Sequence, residues 1–556
     1  MKSTVERIPS RLIIYLGDNN PTIPDFHGRS FLYRIGAGGV LQGEFEEVNN
    51  AARLNQLALE LRDTYSDWIY SLNESCLKRG LKLKELSLFL ISDCSAKRTE
   101  LFPTYSVFCN LQLIREIIEA REPNQILIVN GTLGWKRSLK SIAKKIPVKM
   151  KARRWRGPDG FRRLASDLRF LLQLGLVIFQ NKAARNSGEK TLDVEKKRLF
   201  FSIYPKMVDE SGCDRKYGEM AGGADSLAVS ILTDGLHQHV TVKEFFEFRR
   251  RIIAKGARVI DDYLNYRDLM KGVYWVCTLR LKTLRLGAAM ELHNIDLSSW
   301  VAEEIGQSAS RVGRFMVIKG GFEKFFDSVN IDEFVYYLHE YPLGRLISWV
   351  LATNHPDVIR IGFQHGPCAW RKMVYALSSE EVAHSPNFLY HVPIPNKVLA
   401  EDLHSAKVYR YSGYSNVELM ERIYRLDYLK DIVMQEDADI SLVAAGLNDG
   451  LAIIQAVLPE IRKHPQFEYR FKPHPLANNK YLSQIELPKN CQITHSPVYQ
   501  LMPRVKTVYV SYSSVGYEAS LLGISVHLID IPGRINESSL MDIARNRVRP
   551  RVVKEA

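Results

Sequence analysis

The sequence has 556 residues, of which 46% are apolar and 25% are charged, a composition typical of globular proteins with ample core material. This length allows two large domains or three to four smaller ones. The net charge of +14 favours an anionic partner, such as nucleic acid, anionic lipid or a phosphorylated substrate. The seven cysteines include no close pair, which argues against a disulfide framework or a zinc site and favours a reducing cytoplasm. No apolar run approaches the roughly 18 residues of a membrane-spanning helix.

Alternating strand and helix patterns run through the first half of the chain. Short apolar runs predict the strands, and apolar residues at helical spacing predict the helices between them. Strands are expected at residues 12–16, 86–91, 125–129, 199–204, 315–318 and 358–364. Helices are expected at residues 49–71, 110–121 and 331–353, and residues 205–310 are expected to be mostly helical. Strand, helix and strand in this order predict parallel βαβ units.

One segment, residues 136–186, interrupts this pattern. Between Lys136 and Arg163 there are twelve Lys or Arg residues and a single acid, Asp159, and an apolar helix is predicted at 164–179. A basic segment joined to an apolar helix is typical of an interfacial membrane anchor. A buried helix with a solvated basic flank is the alternative. A nucleic-acid surface is not expected, because aromatic residues are not interleaved with the cations as stacking platforms.

The second half has a more regular pattern of short elements. Strands are predicted at residues 440–444, 469–472, 492–494, 507–512 and 526–529. Helices are predicted at residues 450–463, 498–504, 515–522 and 537–547. This order predicts a doubly wound sheet, in which ligands bind where the carboxyl ends of strands meet the amino ends of helices.

Two motifs follow predicted strands of this second half. In S-Y-S-S-V-G, Ser513 and Ser514 precede a helix whose first turn contains Gly516. Free backbone N–H groups and the helix dipole favour an anion such as a nucleotide phosphate there, and plain N-capping is the alternative. In K-P-H-P, two prolines hold the backbone extended, so that Lys472 or His474 can donate to a phosphate. A rigid turn with a surface histidine is the alternative to that interpretation.

Two acidic residues of the second half are further candidates. Asp449, in G-L-N-D-G, either caps a helix or acts as a general base towards an acceptor hydroxyl. Glu518 lies one turn into the helix after the serine pair, where it either contacts a ribose or lies on the helix surface.

Candidates in the first half belong to the opposite side of a presumed cleft. In F-Q-H-G, Gln364 and His365 end a predicted strand, and Gly366 permits close approach of a ligand. A structural role for the histidine is the alternative. Glu340, in the preceding predicted helix, is an acid or base candidate, and Asp18 and Asp93 are weaker ones.

These motifs together resemble a known family. Strand, K-P-H-P, strand, S-S-x-G-x-E-A and helix resemble the C-terminal domain of bacterial surface-polysaccharide glycosyltransferases of the GT-B type. The HP pair at His474 and the SS pair at Ser513 resemble those of bacterial sialyltransferases and keto-deoxy-octulosonate transferases, which use CMP-sugars. The triplet Asn448-Asp449-Gly450, at the start of the helix predicted at 450–463, resembles the acidic D/E-D/E-G motif of the sialyltransferases, with Asn448 in place of the first acid. F-Q-H-G is similar to a motif of bacterial surface carbohydrate biosynthesis proteins.

The resemblance implies an α/β fold of the GT-B type, with two Rossmann-like doubly wound domains facing a cleft. The acceptor-side domain is expected at residues 1–385, with the basic and apolar helical insertion 136–186, and the nucleotide-sugar domain is expected at 386–546, before a tail at 547–556. Such enzymes need no bound metal and no cofactor, because helix dipoles and histidine replace the metal.

The implied activity is the transfer of a sugar, best a CMP-activated 2-keto acid sugar, to a lipid-linked surface glycan. The expected catalytic residues are Asp449, His474 and Glu340. The expected donor-binding residues are Lys472, His474, Ser513, Ser514, Gly516, Glu518, Gln364, His365 and Gly366. The expected location is cytoplasmic and peripheral, at an anionic inner membrane face, with no nucleic-acid partner. The alternatives are a CDP-glycerol or ribitol-type phosphotransferase, a UDP- or GDP-sugar enzyme on the same fold, and a non-catalytic scaffold or nucleic-acid-binding protein.

Overall fold

The structure is a computed structural model that describes residues 9–17, 23, 26–36, 44–151, 159–185, 198–203, 208–209, 214–223, 225–231, 242–283, 290–338, 341–382, 387–475, 477 and 479–543. Its strands are β1 (Ser10–Leu16), β2 (Arg29–Ile35), β3 (Glu46–Glu47), β4 (Lys82–Leu83), β5 (Leu86–Ser87), β6 (Gln125–Val129), β7 (Val148–Lys151), β8 (Arg198–Ser202), β9 (Ser226–Ser230), β10 (Arg258–Val259), β11 (Glu291–Leu292), β12 (Ile295–Asp296), β13 (Glu333–Tyr337), β14 (Ile359–Phe363), β15 (Lys397–Ala400), β16 (Val417–Leu419), β17 (Ile440–Ala444), β18 (Glu468–Lys472), β19 (Cys491–Ile493), β20 (Val505–Val510) and β21 (Ser525–Leu528). Its α-helices are α1 (Ala51–Glu60), α2 (Arg62–Lys78), α3 (Thr104–Arg121), α4 (Leu133–Ile142), α5 (Asp159–Arg185), α6 (Val242–Ala254), α7 (Tyr266–Thr283), α8 (Ser298–Phe326), α9 (Tyr341–Asn354), α10 (Leu403–Tyr411), α11 (Gly450–Lys463), α12 (Val498–Leu501), α13 (Ser514–Leu521) and α14 (Leu540–Ile543).

The first sheet has the strand order β3-β2-β1-β6-β7, and its strands are parallel. Strand β1 is buried along its whole length, which suits an apolar run in a parallel sheet covered on both faces. The strand predicted at 86–91 is wrong beyond Ser87. Residues 88–91 form turns that are buried without a sheet partner, and burial alone explains their apolar character.

The second sheet has the order β10-β9-β8-β13-β14-β15-β16, again with parallel strands. It runs through the division predicted at residue 385, because β15 and β16 pair onto the same sheet as β14. The sequence predicts two doubly wound domains. The predicted domain 1–385 contains the whole first sheet and all strands of the second sheet except β15 and β16.

Two predictions in this region are wrong. The strand predicted at 315–318 lies inside helix α8, and the helix predicted at 331–353 is strand β13 followed by α9. Helix α8 is buried on almost every side over this stretch, so its apolar residues lack a helical period and imitate a strand. A Cβ atom at Gly313 would lie 2.9 Å from a side-chain carbon of Val276, which shows how closely α7 packs against α8.

The third sheet has the order β19-β18-β17-β20-β21, with parallel strands throughout. Its strands lie within two residues of the predicted ones, and α11 has the predicted bounds. Of the helix predicted at 537–547, residues 540–543 form α14, residues 537–539 are not helical, and residues 544–547 lie outside the described part. The α/β fold class with doubly wound parallel sheets is confirmed.

Residues 529–543, called the return segment below, lead from β21 back to the first sheet. The backbone N–H of Gly36 donates to the carbonyl of Pro532 at 2.9 Å. The backbone N–H of Asn536 donates to Asn55 Oδ1 at 2.8 Å. These hydrogen bonds hold the chain that follows the third sheet against the carboxyl edge of the first.

The first part of the predicted insertion 136–186 belongs to α4 and to β7, an edge strand of the first sheet. Its last part contains α5, which connects the first sheet to the second. The predicted helix at 164–179 is confirmed within it. Among the described residues, no helix combines the length and apolar character that crossing a membrane requires.

Candidate functional site

The third sheet reverses its winding between β17 and β20. From β17 the chain passes through α11 to β18 on one side, whereas β20 lies on the other side and continues to β21. Ligands of doubly wound sheets bind outside the carboxyl ends of strands at such a reversal. Three loops leave the sheet there, at residues 445–449, 473–475 and 511–513. We call these loops and the side chains that contact them the switch site.

Asp449, in the first of these loops, is 1% exposed. Its side chain makes no hydrogen bond that caps α11, so the helix-cap interpretation is wrong. The Ser511 hydroxyl donates to Asp449 Oδ2, which joins the loops after β17 and β20. Oδ1 is buried and has no hydrogen-bond partner in the described part of the chain, although buried acceptors are normally paired. Burial raises the pKa of this carboxyl, and Ser511, Arg534 and the backbone N–H groups of Gly446 and Asp449 oppose the rise.

His474, in the loop after β18, is partly buried in the same place. Burial lowers the pKa of its imidazole, the nearby carboxylate of Asp449 opposes that change, and Lys472 adds to it. The side chain of Lys472 is buried, and its Nζ donates to the carbonyl of Ser496 at 2.6 Å. The structure therefore places His474 within electrostatic reach of Asp449 and ties Lys472 to the backbone after β19.

Three side chains of the switch site were missed by the sequence analysis. The ring of Tyr481 covers the start of α11, since a Cβ atom at Gly450 would lie 2.0 Å from the tyrosine hydroxyl oxygen. That hydroxyl is buried without a hydrogen-bond partner among the described residues, and burial raises its pKa to about 12. The hydroxyl of Tyr512 accepts from the N–H of Asn448 at 3.2 Å. Arg534 Nη1 donates to the carbonyl of Asn448 at 2.8 Å.

The helix α13 begins at the switch site. Ser513 occupies its N-cap position, but its side chain makes no capping hydrogen bond, so plain N-capping is wrong here. Ser514 Oγ donates instead to Glu518 Oε1 at 3.2 Å, and Tyr428 donates to Glu518 Oε2 at 2.7 Å. Glu518 is therefore buried in a polar network rather than on the helix surface, and burial raises its pKa. A Cβ atom at Gly516 would lie 2.6 Å from a side-chain carbon of β20, so this glycine allows the helix to pack closely on the sheet.

The F-Q-H-G motif lies at the carboxyl end of β14 in the second sheet. Gln364 is fully buried, and its amide donates to the carbonyl of Gly366 at 2.8 Å and to Ser405 Oγ at 3.0 Å. The ring of His365 stacks on Tyr337 with centroids 4.4 Å apart. A Cβ atom at Gly366 would meet no atom within 4 Å, so space for a ligand exists beside this glycine.

A polar network connects this motif with α13. Gln364 Oε1 accepts from the N–H of Glu401 at 2.9 Å, and Arg425 donates to both carboxylate oxygens of Glu401, at 2.6 and 2.8 Å. Tyr517 of α13 donates to Asp402 Oδ2 at 2.9 Å. The carboxyl edge of the second sheet thus faces the helix that starts at the switch site.

The remaining candidates lie elsewhere. Asp93 is buried and pairs with Arg98 and Arg311 at 3.3 and 3.0 Å, which is a structural arrangement away from the switch site. Glu340 and Asp18 lie outside the described residues. Within the described ranges, no group of three or more His, Cys, Asp or Glu side chains is arranged to hold a metal ion.

No protein-family model and no curated protein matches this sequence. Similar solved structures include UDP-GlcNAc 2-epimerase from Neisseria meningitidis bound to UDP-GlcNAc, with 10% identity over 60% of this chain and 82% of that one, at a TM-score of 0.33. The calicheamicin glycosyltransferase CalG4 is similar at 12% identity over 60% of this chain and 80% of its own, at a TM-score of 0.33. The wall teichoic acid polymerase TagF is similar at 11% identity over 66% and 78%, at a TM-score of 0.28.

Proposed function

We propose that the chain is a glycosyltransferase of the GT-B type that binds a nucleotide-sugar at the switch site. The observation that supports this most is a pair of buried polar atoms without partners among the described residues, Asp449 Oδ1 and the Tyr481 hydroxyl. Both lie at the winding reversal of a doubly wound sheet, where such folds bind nucleotides. A bound polar ligand supplies the missing hydrogen bonds.

The donor phosphate is proposed to bind between His474 and the start of α13. The uncapped N–H groups of that helix, with the hydroxyl of Ser513, form an anion site with no need for a metal. The lowered pKa keeps His474 neutral without ligand, so that an arriving phosphate raises its proton affinity and gains a charged hydrogen bond.

Asp449 is proposed as the general base. The acceptor hydroxyl oxygen attacks the anomeric carbon, its proton passes to Asp449, and the phosphate oxygen keeps the electron pair of the broken glycosidic bond. A carboxyl with a raised pKa is a stronger base than an ordinary aspartate, which favours this proton transfer. Oδ1, which has no hydrogen-bond partner among the described residues, is proposed to take this proton, because Oδ2 is held by Ser511.

The donor is proposed to be a CMP-activated 2-keto acid sugar and the acceptor a lipid-linked surface glycan at the inner face of the membrane. The HP pair at His474 and the SS pair at Ser513 support the CMP donor by their resemblance to CMP-sugar transferases. The net charge of +14 supports an anionic acceptor surface.

A thermal-unfolding panel with CMP, CDP, UDP and GDP tests the donor class. CMP is expected to stabilise the wild type by about 2.7 kcal/mol at a concentration about 100 times its Kd, and His474→Ala is expected to lose that response. His464→Ala is the matched control, because this histidine ends α11 and pairs with Glu460. If CDP, UDP or GDP stabilises the protein and CMP does not, the donor nucleotide is that one and not CMP. The absence of a response to all four nucleotides contradicts nucleotide binding at this site.

A further inference from the structure

Helices α5 and α7 pack side by side and antiparallel on α8. Arg280 near the end of α7 donates to Asp167 near the start of α5, and a Cβ atom at Gly175 of α5 would lie 3.9 Å from Leu269 near the start of α7. The inner sides of both helices face the protein, where Phe170 and Leu174 of α5 are buried. Each helix therefore has an outer side directed away from α8.

Those outer sides are apolar. On α5, exposed apolar residues recur every three or four positions, at Leu164, Leu168, Leu172, Leu176 and Phe179. On α7, the corresponding residues are Tyr266, Met270, Val273, Tyr274 and Leu281. We call these ten residues the outer face. Ten of the 23 exposed large apolar residues in the described part of the chain thus lie on two helices, and such a concentration marks an interaction surface.

The exposed charges on the described residues of these two helices have one sign. Arg169, Arg267 and Lys271 are exposed beside it. Residues 164–179 and 266–283 of these helices contain two acids, Asp167 and Asp268. Both are buried and pair with cations on the inner side. An apolar surface whose exposed charged neighbours on the described parts of both helices are cations is complementary to an anionic lipid bilayer, whose acyl region accepts leucines and whose head groups accept the cations.

We propose that the outer face docks on an anionic lipid bilayer, with α5 and α7 lying in the plane of the membrane. Membrane docking serves the proposed function by bringing the enzyme to a lipid-linked acceptor. The observations that support docking are those on α5 and α7. A second copy of the chain fits less well, because a two-fold contact between outer faces brings the same cations together. The sequence predicts a membrane contact at residues 136–186, which include α5, and does not predict the contribution of α7.

Vesicle co-sedimentation of the full chain tests this proposal. Wild type is expected to bind vesicles that contain phosphatidylglycerol and to bind pure phosphatidylcholine vesicles weakly. Leu172→Glu and Met270→Glu, at residues that are 70% and 67% exposed, are each expected to weaken binding by about ten-fold or more. Arg267→Gln with Lys271→Gln is expected to weaken binding to the anionic vesicles alone. Val433→Glu, at an apolar residue that is 80% exposed outside the outer face, is the matched control and is expected to bind as wild type does.

Three outcomes overturn the proposal. The first is equal vesicle binding by wild type and by both glutamate variants. The second is loss of binding in the Val433→Glu control as well. The third is a wild-type dimer that the glutamate variants convert to a monomer without a change in vesicle binding, which assigns the outer face to a second copy. The nucleotide panel on the same variants separates the two proposals, because substitutions on exposed positions of α5 and α7 leave the switch site intact.

Discussion

Asp449 and His474 have opposite pKa shifts with a single cause. Burial disfavours the charged form of each group, so that it raises the pKa of the carboxyl and lowers the pKa of the imidazole. The mutual attraction between the two charged forms opposes both shifts. A phosphate changes this balance, because it adds negative charge beside His474 and stabilises the imidazolium.

Replacement of Asp449 tests its proposed role as the base. Asp449→Asn is expected to lower kcat by about 10²–10⁴-fold while the stabilisation by nucleotide stays. Since the base acts in its ionised form, wild-type activity is expected to fall as pH decreases through a pKa above the ordinary aspartate value of about 3.9. Steady-state kinetics between acid and neutral pH measure both effects.

Asp439→Asn is the control for that experiment, because Asp439 is exposed and pairs with Arg504 at the opposite end of β17. An unchanged kcat in Asp449→Asn contradicts the assignment. Loss of kcat together with loss of nucleotide binding indicates that Asp449 holds the site in shape and does not take the proton.

At this scale the sequence predicted the motif-bearing residues and missed their neighbours. Asp449, His474 and Ser513 follow strands directly, so their meeting at one sheet edge follows from the strand order. Tyr481 belongs to the 3₁₀ segment Asn479–Gln484, and Arg534 belongs to the return segment. The positions of these two residues depend on how distant parts of the chain pack, which local patterns do not record.

Among the elements, α8 carries a carboxyl group in an unusual environment. Glu304 is buried, and its Oε1 accepts from the N–H of Thr104 at 3.1 Å and from the hydroxyl of the same residue. Burial raises its pKa to about 8. This helix crosses the core between the first and second sheets, so the ionisation of Glu304 bears on the stability of both.

The free energy of unfolding is expected to depend on pH through Glu304. A carboxyl that has a higher pKa in the folded state binds more protons there, so stability is greatest below the unfolded pKa of about 4.3 and falls as pH rises to about 8. Glu304→Gln keeps an acceptor for Thr104 and cannot ionise. It is expected to match wild type near pH 5 and to be more stable by about 2–5 kcal/mol at pH 9.

Urea unfolding at several pH values measures this difference. Glu303→Gln, one residue away and partly exposed, is the control that is expected to follow the wild type. A difference between Glu304→Gln and wild type that is the same at pH 5 and pH 9 contradicts the expected linkage.

The elements of the third sheet lie close to their predicted bounds because their apolar runs are short and several stop at residues that end regular structure, such as Asp439 before β17 and Pro473 after β18. Strand β17 and helix α11 match their predicted bounds. The prediction of a strand inside helix α8 is wrong because this helix is enclosed on nearly all sides. It therefore has no polar face to reveal the helical period. Strand β13 and helix α9 were merged into one helix because only three residues separate them.

At the scale of the whole molecule, three parallel sheets are held together by the return segment. The amide of Asn110, on α3, donates to the carbonyl of Gly533 at 3.0 Å. Arg371, after β14, pairs with Asp542 at 2.6 Å. The sequence predicts the doubly wound sheets but not the role of the return segment, because contacts between residues so far apart in the chain leave no local pattern.

Gly533 is expected to be a sensitive point of this arrangement. Its φ of +66° is strained for other residues, and a Cβ atom there would lie 2.7 Å from the carbonyl oxygen of Arg34. Gly533→Ala is expected to lower the free energy of unfolding by about 2–4 kcal/mol. Chemical denaturation, monitored by tryptophan fluorescence and by circular dichroism, measures the loss.

Gly523→Ala separates backbone strain from crowding. Gly523 has a φ of +74°, but a Cβ atom there would meet no atom within 4 Å, so about 1 kcal/mol of strain is the only expected cost. Equal losses in the two variants contradict the crowding argument at Gly533.

The return segment also sets the order in which the protein can finish folding during synthesis. Asn536 follows its partner Asn55 by 481 residues along the chain. At the usual speed of translation, the first sheet, which is complete at Lys151, waits roughly 20–80 s at the ribosome before the residues that cover its carboxyl edge emerge. During that interval the apolar surface of the first sheet is exposed to chaperones and to neighbouring nascent chains. A change in translation speed is therefore expected to alter the expression yield of the folded protein, while the equilibrium free energy of unfolding stays the same.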